Sequence, residues 1–204
     1  MKALIVTGQG VQDQEFIYPF HRLQGAGWAV DVAVRGGAKC TGIQGVKIEP
    51  TCDIPMLVDA KKYDLLVIPG GVKAMEHMRL DGELVNLVVH FAVLKKTIAT
   101  ICSGAQMLIT ARLCKGHRIA AYYAMRVDVE NAGAEFVDAP AVVSDGIVTS
   151  SHYKYLGPWM EAVLLAVKQE EARRALVQRA VAVPAADGAA LCRCAHDTVA
   201  PCRA

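Results

Sequence analysis

The feature that most constrains this chain is a recurring unit. A short, unbroken apolar run is followed by a loop of glycine, proline or small residues, and then by apolar residues at helical spacing. The runs fall at residues 2–7, 28–34, 65–68 and 97–101. Each is too short for a helix and most lack the alternation of a half-exposed strand, so they read as strands buried on both faces. Between them, Phe16, Phe20 and Leu23 predict a helix over 15–25, stopped by Gly25 and Gly27. Leu84, Leu87, Val88 and Phe91 predict another running to about residue 96, with Asp81 as its cap. Strands that alternate with helices imply an α/β fold: a mainly parallel sheet with helices on both faces.

Weaker signals fill the rest. Residues 35–59 are rich in Gly, Thr and Pro, with one apolar piece at 46–48, which suits a hairpin or an excursion off the sheet; Asp59 can cap a short turn. Helices are expected over 105–111 and 125–132, the second closed by Gly133, with a short strand over 118–121. Residues 141–143 and 147–150, joined at Asp145-Gly146, read as two strands or a hairpin. Pro158 suits the first turn of a last helix reaching about residue 179. Beyond it, Ala, Pro, Gly and Cys follow without periodicity. The expected organisation is one domain over 1–180 and a loosely packed or disordered tail over 181–204.

Composition narrows the function classes. Of 204 residues, 53% are hydrophobic, enough for a two-sided core, yet no run reaches the roughly eighteen apolar residues of a membrane span. The apolar start is too short for a signal peptide and is broken by residues 8–15. A net charge of +2 with scattered basic residues argues against nucleic acid as a partner. Seven irregularly spaced cysteines argue against a disulfide framework and for free thiols in a reducing cytoplasm. Cys192, Cys194, His196 and Cys202 crowd together without the paired spacing of a structural zinc site, so no metal is expected. Gly8-x-Gly10 lacks the third glycine of a dinucleotide fingerprint, and no cofactor is expected.

In parallel sheets, ligands bind beyond the carboxyl ends of the strands. The loops to read are therefore 8–15, 69–71, 102–104 and 150–155. The third is the most informative. In Ile98-Ala99-Thr100-Ile101-Cys102-Ser103-Gly104-Ala105-Gln106 a buried strand runs into a cysteine with small neighbours, and a helix starts at once. This is the layout of a nucleophile elbow. A helix N-terminus there is expected to lower the thiol pKa from its free value of about 8.5. The plainer alternative is a buried, inert cysteine.

Ala99-Thr100-Ile101-Cys102-Ser103-Gly104 resembles the elbow of the DJ-1/PfpI family, within the class I glutamine-amidotransferase-like superfamily. Tyr63-Asp64-Leu65-Leu66-Val67-Ile68-Pro69-Gly70-Gly71 is similar to that family's strand and glycine loop, and residues 122–138 and 143–150 are similar to its PfpI branch. The resemblance covers about residues 2–168 and implies a flavodoxin-like three-layer sandwich. It also implies roles. Cys102 is the nucleophile, and Glu15 is a carboxylic acid hydrogen-bonded to its sulfur. The amides of Gly71 and Ser103 form an oxyanion hole. Gly70, Tyr122 and Tyr153 line the substrate, and Glu76 reaches a neighbouring subunit of a homodimer or dimer-based oligomer.

One departure matters. Hydrolase-like PfpI members carry His after the nucleophile, where this chain has Ser103, a residue that cannot act as a base near neutral pH. A peptidase is therefore not expected. His152, just past the strand 147–150, is the candidate replacement base. The expected function is a cysteine-dependent enzyme acting on a small electrophile (a reactive carbonyl, an amide or an isonitrile) through a covalent thio-adduct. The alternative is a redox-sensing or stress-protective protein in which Cys102 is oxidised.

Overall fold

A computed structural model describes residues 1–54 and 59–181, with side chains described to residue 178. The chain opens with β1 (Lys2–Val6), α1 (Asp13–Gly25) and β2 (Ala29–Val34). An excursion follows, made of the small antiparallel pair β3 (Cys40–Thr41) and β4 (Lys47–Ile48), then β5 (Cys52–Asp53). Next come β6 (Leu65–Ile68), α2 (Val72–Met78), α3 (Gly82–Val93), β7 (Thr97–Ile101) and α4 (Ala105–Thr110). The remainder is β8 (Arg118–Ile119), α5 (Arg126–Asn131), β9 (Glu135–Phe136), β10 (Val142–Ser144), β11 (Ile147–Ser150) and α6 (Leu156–Val181).

The main sheet runs β10-β11-β7-β6-β1-β2-β5, parallel throughout except for the β10–β11 hairpin. That hairpin turns at Asp145 and Gly146, both at positive φ, as a two-residue turn of the required twist demands. The sheet is apolar because it is covered on both sides. All four side chains of β6 are fully buried, each contributing about 1.5–3 kcal/mol.

The connections place the helices. From β1 the chain steps to β2 in one direction along the sheet; from β6 it steps to β7 in the other. Right-handed crossovers then put α1 on one face and α3 on the opposite face. The arrangement is the expected flavodoxin-like three-layer α/β sandwich. Its order reverses where β1 lies beside β6, the switch point at whose carboxyl end sheets of this kind bind ligands.

Local chemistry sets the helix ends. Asp81 accepts hydrogen bonds from the Glu83 and Leu84 amides, capping α3 as its sequence predicts. Asp59 accepts from Lys61 N–H and caps a single 3-10 turn. α2 was not foreseen as a separate helix: only Ala74, Met75 and Met78 of its seven residues are buried, too few to show a period. By its own contacts the chain divides after Glu171, and Met1–Glu171 is one compact unit. Within it, the indole of the fully buried Trp159 donates to Val148 O (3.4 Å) and ties α6 to β11. The tail beyond residue 181, with Cys192, Cys194, His196 and Cys202, lies outside the described residues. No described helix is long and apolar enough to cross a membrane.

Candidate active site

Three loops converge at this switch point. After β1, the chain enters α1 with Glu15 in the first turn, fully buried. After β6, Gly70 and Gly71 turn towards it, and Gln12 N–H donates to Gly70 O (3.1 Å), joining the two loops. After β7 comes Cys102, at φ +57, a left-handed conformation that costs a non-glycine residue about 1–2 kcal/mol. The elbow expected from the sequence is present. It is tight enough that a Cβ at Gly104 would lie 2.5 Å from Ile68 O, so no larger residue fits behind the nucleophile.

The acid and the thiol face each other. Gly70 N–H donates to Glu15 Oε2 (2.7 Å). Oε1, also buried, has no hydrogen-bond partner, and the Cys102 thiol is near enough to favour the ionised carboxyl. Burial is the main influence on Glu15 and raises its pKa from 4.5 to about 7, against the opposing pull of Gly70 N–H and Cys102. A carboxyl so placed exchanges a proton near neutral pH, as a general acid–base requires.

The thiol departs from expectation. Burial first, then the neighbouring Glu15 charge, push Cys102 up to about 12, while the Ser103 amide and hydroxyl pull it down. Desolvation outweighs the helix end because α4 is only six residues long and the sulfur is largely enclosed. Cys102 is therefore not a standing thiolate. Near neutral pH the acid beside it gives up its proton first, while the thiol keeps its own.

The glycine loop also differs from the sequence reading. Gly71 N–H, expected in an oxyanion hole, donates to Ser103 Oγ at 2.8 Å. Gly70, expected to touch substrate, is buried and spends its N–H on Glu15. Its role is to hold the acid, because two consecutive amides can serve two different acceptors.

On the other side of the elbow, Tyr122 N–H donates to Cys102 O (3.3 Å) and brings an aromatic cluster to the site. The His152 ring lies 6.2 Å from Tyr122, 6.0 Å from Tyr123 and 4.0 Å from Tyr153. The three tyrosines are about 40% exposed and offer ring surface to solvent. The Lys154 ammonium sits over the Tyr123 and Tyr155 rings. β11 runs parallel to β7, so His152 does emerge at the carboxyl end. Its Nδ1, however, accepts from Lys154 N–H (3.2 Å), capping the turn that follows. That bond leaves the proton of the neutral ring on Nε2, which is then a donor and not a base. Burial, then Lys154, lower its pKa and keep it neutral.

Glu76 is exposed on α2. Among the described residues, no cluster of His, Cys, Asp or Glu has the makings of a metal site. Sequence reasoning missed Asp13, a buried carboxylate whose oxygens accept from Gln44 N–H (2.7 Å) and Val46 N–H (2.8 Å) and clamp the β3–β4 loop onto α1 beside Glu15. Partners more than thirty positions away left no local signal. Tyr123 was missed too, although its adjacency to Tyr122 was visible.

The DJ-1/PfpI family model matches residues 1–166. Deglycase TK1284 of Thermococcus kodakarensis is 39% identical over 160 residues, 78% of this chain and 95% of that protein. Deglycase PfpI of Pyrococcus furiosus is 36% identical over 170 residues, 82% of this chain and all of that protein. Among solved structures, a two-domain Anabaena variabilis protein with DJ-1/ThiJ/PfpI-like and ferritin-like domains superposes with TM-score 0.78 at 31% identity, over 82% of this chain and 48% of that one. Schizosaccharomyces pombe DJ-1 superposes with TM-score 0.75 at 20% identity, over 90% of this chain and all of that one, and so speaks to the fold.

Proposed function

The chain belongs to the DJ-1/PfpI family, and from that premise we propose that it is a cysteine-dependent enzyme of the deglycase or glyoxalase kind, acting on a small reactive carbonyl. The observation that carries this reading is the pair itself: a fully buried Glu15, with its pKa raised to about 7, against a cysteine on a strained elbow. A merely structural buried cysteine needs neither the strain nor the acid.

With methylglyoxal as the test substrate, the Cys102 sulfur attacks the aldehyde carbon as its proton passes to Glu15. A C–S bond forms as the C=O π bond breaks, and Glu15 hands that proton to the carbonyl oxygen, giving a hemithioacetal and freeing the carboxylate. Glu15 then moves the proton on that carbon to the neighbouring carbonyl carbon through an enediol, leaving a lactoyl thioester on Cys102. Water cleaves the thioester and restores the thiol. The sum is methylglyoxal plus water to lactate, an internal redox change that needs no external oxidant or cofactor. Tyr122 and Tyr153 wall the substrate, and His152 donates from Nε2 to its oxygens. By resemblance, the working unit is a homodimer in which Glu76 reaches the partner's active site; light scattering at micromolar concentration should give twice the chain mass.

The test is methylglyoxal loss and lactate formation by wild type and Cys102→Ser. Serine without a base is a far poorer nucleophile, so the variant should be inactive. Turnover that survives in Cys102→Ser, or none in the wild type, would remove this reading.

A further inference from the structure

Arg79 closes α2 and is half-buried. Its Nε donates to Thr110 Oγ1 (3.1 Å), and the Thr110 hydroxyl donates in turn to Gln106 O (2.9 Å), so α4 fixes the guanidinium. Its two terminal nitrogens are unspent: among the described residues none accepts from them, and no carboxylate forms an ion pair with them. A cation partly withdrawn from water without a counter-ion is costly, and the guanidinium fork matches a carboxylate.

Arg79 lines a cavity of about 340 Å³ between α2, α4 and α5, at the small end of the range for ligand sites. Asp128 of α5 lines the same cavity, yet the two opposite charges do not pair. Gln106 and Asn131 add side-chain amides, and Ile109 and Met125 add apolar surface. Cys102 is not part of this lining.

We propose that this cavity binds a free α-amino acid with an apolar side chain. The carboxylate takes the terminal N–H groups of Arg79, the ammonium takes Asp128, and the side chain lies against Ile109 and Met125. A separated cation and anion in one small cavity call for a ligand that carries both charges close together, and a zwitterion does so on neighbouring carbons. A plain carboxylate would satisfy Arg79 but be repelled by Asp128; a plain amine would meet the reverse. The amides of Gln106 and Asn131 can donate to or accept from either end. The site does not depend on the chemistry assigned to Cys102.

The experiment is isothermal titration calorimetry of the full chain with L-leucine, with 4-methylpentanoate (leucine without its amine) and with 3-methylbutylamine (leucine without its carboxylate). Leucine should bind with a Kd of about 1 mM or tighter, within reach of so small a ligand. Each truncated compound should bind about tenfold more weakly, having lost one charged hydrogen-bonding group. Arg79→Gln should weaken leucine and 4-methylpentanoate alike. Asp128→Asn should weaken leucine about tenfold but strengthen 4-methylpentanoate, because the repulsion is gone. Asp128 is exposed on α5, so its variant keeps the fold, and circular dichroism checks both. Cys102→Ser should bind leucine as wild type does. The proposal falls if leucine does not bind, if its binding is unaltered in Arg79→Gln and Asp128→Asn, or if 4-methylpentanoate binds as tightly as leucine. Loss of leucine binding in Cys102→Ser would place leucine at the elbow and would overturn it too.

Discussion

Glu15→Gln separates stability from activity. In the native protein the carboxyl is pushed from 4.5 to about 7, chiefly by burial. Between those two values the unfolded chain has released a proton that the native chain keeps. Native stability therefore falls as pH rises through this window, and the loss is complete above the native value. A displacement of this size corresponds to about 3 kcal/mol of stability forgone at pH 8 relative to pH 4.5. Glutamine keeps the shape and still accepts from Gly70 N–H through its side-chain oxygen, but it has no charge to bury. The variant should thus be more stable than wild type at pH 8, by up to about 3 kcal/mol, with the advantage fading towards pH 4.5. Activity should move the other way, falling by about two orders of magnitude with loss of the proton acceptor. The assay is urea denaturation at several pH values beside methylglyoxal turnover. Parallel stability curves for the two proteins would refute the buried, high-pKa acid. Unchanged turnover would refute its part in the chemistry.

Gly104→Ala should destabilise by about 1–3 kcal/mol and abolish activity, since the added methyl meets the Ile68 carbonyl and displaces the elbow; denaturant melts and turnover check both. Asp81→Ala removes the two cap bonds of α3 and should lower the melting temperature by about 3 °C, from about 1 kcal/mol. Its ion pair with Arg35 adds little, because the arginine is mostly exposed. His152→Ala should lower kcat several-fold while leaving the limb of the pH–rate profile near pH 7 in place, since Glu15 accounts for that limb. Disappearance of the limb in His152→Ala would assign the base to His152 after all.

The Gln12–Gly70 bond shows why the fold was legible before the site. Buried strands and amphipathic helices are written in neighbouring residues: Leu65-Leu66-Val67-Ile68 can be little but a buried strand, and Asp81 before an apolar stripe caps a helix. The elbow was legible for the same reason, because its strand, its cysteine and its small residues are contiguous. Strand order was not written locally. That β11 lies beside β7, parallel, became certain only when their residues paired, and with that His152 reached the carboxyl end of the sheet.

Cys102 marks the division most sharply. Its identity, its place at a strand end and its small neighbours are properties of the sequence, and they determined that a nucleophile was the best reading of residue 102. Its proton affinity is a property of the enclosure. Local reasoning counted the helix end and expected a depressed pKa; the fold closed loops from three distant segments around the sulfur, and burial with a carboxyl alongside raised it instead. The same closure turned Gly71 N–H onto Ser103. Sequence determines which groups can hydrogen-bond. Only the tertiary structure decides which partners remain for them, because each donor proton is spent once and the nearest acceptor in space takes it.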